Sequence, residues 1–96
     1  MERKGNSLVD YLNAVEDRET FLDFIWALLE DREDSVEKEK ANPSDARSPQ
    51  ANGWENITIE DFFEAALRWA ADSNKMPEEA SWKAFAVFLY CGKIYE

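Results

Sequence analysis

The stretch SWKAFAVFLYCGKIY, residues 81–95, is apolar almost all round, with only its two charges, Lys83 and Lys93, to face water. A helix without a polar face is stable only where other elements surround it, so the rest of the chain must wrap around this one. Strand is the competing reading for VFLYC, yet no turn signal and no strand partner accompany it. The expected fold class is therefore all-α, a compact bundle of about four helices.

The remaining helices are set out by caps and spacing. Leu8, Tyr11, Leu12 and Val15 recur on one face behind a capping Ser7, which predicts a short helix over 7–15. Asp17 caps a second helix over 18–38, whose inner stripe is Phe21, Phe24, Ile25 and Leu28, widened by Leu22, Trp26 and Leu29. That apolar arc spans roughly 200°, enough to meet two neighbours. Thr58 followed by Asp61 is a variant capping box at the head of a third helix over 59–73. Along it Ile59, Phe62, Phe63, Ala66, Leu67, Trp69 and Ala70 share one arc, opposite Glu60, Asp61, Glu64, Arg68 and Asp72. Ser73-Asn74 ends it. Pro77 opens the last helix, over 78–95, with Ser81 as a later start, and Gly92 inside it marks a close approach or a bend.

Between the second and third helices the text is almost free of large apolar residues and carries Pro43 and Pro49. Such a segment adds little to a core, so residues 40–53 are expected to form a flexible insert within a single domain spanning 1–96. With 96 residues and 45% hydrophobic content, one core is the natural outcome. Six Phe, four Trp and three Tyr supply much of it, since large rings bury much area per residue.

Most chemistry is excluded by what the chain lacks. It has no histidine and one cysteine, Cys91, so neither a disulfide nor a zinc site can form within it, and no cofactor is expected. Nucleophilic catalysis of the familiar kind wants a base beside the nucleophile, and Cys91 sits in the most apolar segment, where a thiol resists ionisation. The acids fall on polar helix faces and do not pair for acid/base work. Glu30 to Glu39 has no central glycine for a calcium loop, and Gly5, Gly53 and Gly92 form no phosphate loop. The chain reads as a non-enzyme.

A formal charge of −10 repels nucleic acid and anionic membranes and favours a basic protein as partner. The polar start MERKGNS carries no apolar leader, and no run approaches the roughly 20 apolar residues of a span, so a cytoplasmic protein is expected. Candidate partner-binding residues are the acids before the insert, Asp31, Glu33, Asp34 and Glu37, together with Trp26 at the edge of its helix's apolar arc. Solvated face is the plain alternative for the acids, and core packing for Trp26. Trp69 and Trp82 read as core. Trp54 stands four residues before the Thr58 cap, placed to fold back over the first turns of the helix as an extended staple. Asn56 beside it reads as a local turn former, and Glu55 as a charge near the helix's positive end.

Taken together, WEN at 54–56, TIEDFF at 58–63, Trp69, SWKAFA at 81–86 and the final IYE, with FLDFIWALLED at 21–31, resemble a family of small acidic bacterial proteins described as a domain of unknown function. The resemblance, over most of the chain except the insert, implies a bacterial source and a whole-chain domain, with no catalytic residues to transfer. Small acidic helical proteins of bacteria include immunity partners of secreted toxins, which offers a role by analogy. A structural or regulatory homodimer is the alternative.

Overall fold

The computed structural model describes residues 7–96, so the polar start over residues 1–6 lies outside the described residues. Among the described residues there are four α-helices and no strand: α1 Leu8–Asn13, α2 Arg18–Ala41, α3 Ile59–Ser73 and α4 Trp82–Ile94. This is the all-α bundle that the spacing predicts.

Each helix starts where a side-chain oxygen can take an otherwise unpaired backbone N–H. Ser7 and Asp10 form a full capping box on α1, and Asp17 and Thr20 form one on α2. At α3 only half of the expected box forms: Thr58 Oγ1 accepts from the Asp61 N–H at 3.0 Å. Helix α4 begins after Ser81, not after Pro77, because the Ser81 hydroxyl accepts from the Ala84 N–H at 3.0 Å. Proline tolerates a helix start but offers no acceptor to hold one. Helix α2 runs on to Ala41, beyond the expected 38, along an exposed face carrying the pairs Asp34–Lys38 and Glu37–Lys40. Asn74, at a left-handed φ of 55°, ends α3.

The core gathers Tyr11 and Leu12 from α1, Val15 from the turn after it, Phe24 and Leu28 from α2, Ala86 from α4, and Trp54. Full burial of one such large side chain contributes about 1.5–3 kcal/mol. Helix α4 packs against all three other helices, the central position its composition demands. Its shell is incomplete, however, because α1 is only six residues long, and Trp82, Phe85 and Ile94 remain partly exposed. Trp82 lies against Phe21 and Phe85 at ring-centroid distances of 5.3 and 6.1 Å instead of entering the core. Lys93, expected to face water, is buried.

The segment expected as a flexible insert is attached along α2 by polar bonds. Ser35 Oγ donates to the Ala51 carbonyl at 2.7 Å, Glu39 accepts from Ala51 N–H at 2.7 Å and from the Ser44 hydroxyl at 2.6 Å, and Asn52 Nδ2 donates to the Asp31 carbonyl at 3.1 Å. A stretch with few apolar residues can thus dock through side chain to backbone bonds. It closes in a single 3-10 turn, Ala51–Gly53, in which Asn52 and Gly53 both take positive φ, the geometry an Asn-Gly pair accepts at low cost. The reversal delivers Trp54 into the core.

Candidate functional site

Three helices meet at Trp54. The indole is 5% exposed, stacks on Phe62 of α3 at a centroid distance of 6.2 Å, and donates its Nε1–H to Asp31 of α2 at 2.9 Å. Lys93 of α4 donates to the same Asp31 oxygen at 2.6 Å. The Arg32 guanidinium and the Lys93 ammonium lie 5.3 and 5.4 Å from the indole ring, so two cations rest against one π-system. Phe62 is the fourth residue of α3, so the staple read from sequence forms, and it reaches further than a staple. Asn56 does not turn the local backbone. It donates to the Gly92 and Tyr95 carbonyls at 3.0 and 2.9 Å and so satisfies the end of α4, while the Glu55 N–H donates to the Lys93 carbonyl.

The Phe62 ring explains Gly92. A Cβ there would stand 2.9 Å from the ring, so the close approach expected at this glycine is made by a side chain. Helix α3 is thereby drawn onto α4, and its fully buried residues are the two alanines Ala65 and Ala66. Its large residues on the adjoining stripe point elsewhere: Ile59 is 72% exposed, Leu67 62% and Phe63 50%. On α2, Leu29 is 46% exposed on the side of Ile59 and Phe63, while Trp26, 55% exposed, and Leu67 stand outside the space these three enclose.

Between these stripes lies a cleft of about 470 Å³ whose walls include Ile25, Leu28 and Leu29 of α2 and Ile59 and Phe63 of α3, with Trp54 and Phe62 also lining it. The volume falls in the ~300–1,000 Å³ range of binding clefts, and the lining is apolar apart from Arg32, Asn56 and Thr58. Arg32 is turned aside, donating to Ser35 Oγ and Gln50 Oε1 while covering Trp54. Among the described residues, Arg32 is the one ionisable side chain in the lining.

The candidate partner residues read from sequence separate into two groups. Asp31 is drawn inward, its side chain 20% exposed and bonded to Trp54 and Lys93. Asp34 holds Lys38 and, more weakly, Asn52, whose bonds keep its carboxyl below the usual range, and Glu37 pairs with Lys40. Glu33 and Trp26 stand on the outer face. Sequence reasoning missed the stripe Ile59, Phe63 and Leu67 as a surface, assigning it to the core because periodicity identifies an apolar face without saying what covers it. Cys91 is buried as expected, and burial pushes its thiol up.

A family model described as a family of unknown function, DUF7660, matches residues 17–96. The chain belongs to that family. The match runs through the segment between α2 and α3, which the resemblance had set aside, and begins at the Asp17 cap, so α1 precedes the matched part. Within the family's span lie all of Trp54's polar partners and the whole cleft. No curated protein and no solved structure matches this DUF7660 chain. Among the described residues no helix is long and apolar enough to cross a membrane, and no cluster of acids and cysteine could hold a metal ion.

Proposed function

We propose that this DUF7660 protein is a non-catalytic protein-binding module that presents the α2–α3 cleft to a basic partner. One observation carries the reading: α3 buries alanines and leaves Ile59, Phe63 and Leu67 in water. Large apolar side chains clustered at a cleft mark interaction surfaces on soluble proteins. The charge of −10 favours encounter with a basic partner over nucleic acid or an anionic membrane. Neutralising a basic toxin in the bacterial cytoplasm, as an immunity protein does, is the specific role proposed.

The test is co-purification from the source organism's extract with the Ile59→Ser/Phe63→Ser double variant as control. A stoichiometric basic partner that the folded variant no longer retains supports the reading. Absence of a partner, or a partner the variant retains equally, overturns it. A homodimer through the same face draws on the same residues, but each copy brings −10. Sedimentation at micromolar concentration separates the two, since a monomer favours a foreign partner and a dimer dissolved by the double variant replaces that reading.

A further inference from the structure

Resting on the binding-module reading, we infer that the α2–α3 cleft receives one amphipathic helix of a partner protein, carrying lysines or arginines on both shoulders of its apolar stripe. The two long walls of the cleft are the helices α2 and α3, and the non-helical segment 54–58, which forms no strand, closes it. Among the described residues it offers no strand edge, so an extended segment lying in it would leave its own backbone N–H and C=O groups unpaired. A helix enters with those groups already satisfied and needs only apolar side chains at i, i+3, i+4 and i+7 to meet the walls. Two flanking helices around a third is also the ordinary geometry of a bundle, and here the third position is open.

Charge identifies the helix further. By helical position, Glu30 and Glu33 follow Trp26 and Leu29 on the α2 side, and Glu60 and Glu64 follow Ile59 and Phe63 on the α3 side. All four are exposed, Glu64 in an ion pair with Arg68, so acids border the apolar stripes of both helices outside the cleft lining. Cations on both shoulders of an incoming helix would meet them, and a helix with acidic shoulders would be repelled. This chain's own α2 and α3 have acidic shoulders, which disfavours a second copy as the occupant.

The probe is a designed peptide of about five turns, ~18 residues, with Leu at i, i+3, i+4 and i+7 and Lys elsewhere. Two comparators are a scramble of the same composition and the same pattern with Glu in place of Lys. Calorimetry on the full chain should show the patterned Leu/Lys peptide binding at least about ten-fold tighter than the scramble, weakening with salt, and the Glu peptide not binding. Ile59→Ser/Phe63→Ser should weaken it about ten-fold, and Glu33→Lys/Glu60→Lys, which leaves the apolar walls intact, should do the same while circular dichroism shows the helical fold retained, with a slightly lower melting temperature because Glu60 lies in the first turn of α3. Equal binding of the scramble, or indifference to both double variants, overturns the inference. If none of the helices binds while a cellular partner is still lost on Ile59→Ser/Phe63→Ser, the helix is refuted and the binding module stands. A dimer that the same variant dissolves places a second copy in the cleft and refutes it as well.

Discussion

Trp54→Ala removes a side chain that contacts α2, α3 and α4 together. Truncating a buried tryptophan of this kind costs about 3–5 kcal/mol through lost transfer energy and the cavity left behind. The indole N–H bond to the Asp31 carboxylate, at 2.9 Å, is worth about 1.5–3 kcal/mol as a bond to a charged group, and is not simply additive with the packing. Two cations at 5.3 and 5.4 Å lose their ring. A net loss of about 4–5 kcal/mol follows, against a total stability of about 5–14 kcal/mol expected for a domain of this length. Trp54→Phe separates the contributions, because it keeps a ring against Phe62 and deletes the N–H, at about 1.5–3 kcal/mol. Urea unfolding followed by far-ultraviolet circular dichroism measures both. A loss below about 1 kcal/mol for Trp54→Ala would show that the indole is not a structural clasp. Equal losses for Ala and Phe would show that the polar bond alone matters and that stacking on Phe62 contributes nothing.

Gly92→Ala gains helix propensity of about 1 kcal/mol but drives a methyl to 2.9 Å from the Phe62 ring, and thermal melts should show a net destabilisation of about 1–2 kcal/mol that Phe62→Leu partly relieves. Lys93→Met should cost about 2–4 kcal/mol by leaving Asp31 without its cation, and the paired change Asp31→Leu/Lys93→Met should recover only part of that loss in a double-mutant cycle, because Asp31→Leu also strips the Trp54 N–H of its acceptor. Asp17, held down chiefly by the Thr20 N–H, Asp34, chiefly by Lys38, and Glu39, chiefly by Ser44, have folded pKa values below those of the unfolded chain. Their contribution is present above the ordinary carboxylate range and lost as pH falls through the lowered folded values, so melting temperature should fall below about pH 4 and Glu39→Gln should flatten that slope. Ile59→Ser and Leu67→Ser should each cost less than about 1 kcal/mol, since most of each side chain is already in water, and a loss above 2 kcal/mol would place these residues in the core after all.

The fold was legible where the signal is local. Ser7, Asp17 and Thr58 announce helix starts because a cap acts within three residues of itself, and the apolar spacing behind each gives the helix. Trp54's association with Phe62 was readable for the same reason, lying eight positions away across a cap. Its bonds were not: Asp31 is 23 residues earlier and Lys93 is 62 beyond Asp31, and no periodicity encodes such pairings. A lone lysine near the end of an apolar helix looks solvated until a carboxylate from another helix is placed beside it. Asn52-Gly53 was the overlooked local signal, a dipeptide that favours positive φ and so a reversal out of the insert.

The cleft is a consequence of how these two kinds of signal combine. The polar node ties α2 to α4 through Asp31 and Lys93, while the Phe62 ring above Gly92 ties α3 to the same helix. Both helices are thus held by α4, and α3 makes its main contacts there and not with α2. A chain selected for stability alone could bring more large residues of α3 to that contact, yet beside Phe62 its fully buried residues are Ala65 and Ala66, while Ile59, Phe63 and Leu67 remain exposed. Exposing three large apolar residues favours non-specific association, and a net charge of −10 opposes it by keeping copies apart. The acidity and the open apolar face would therefore act together in the proposed binding module: the charge that keeps copies apart is the charge that a basic partner would meet.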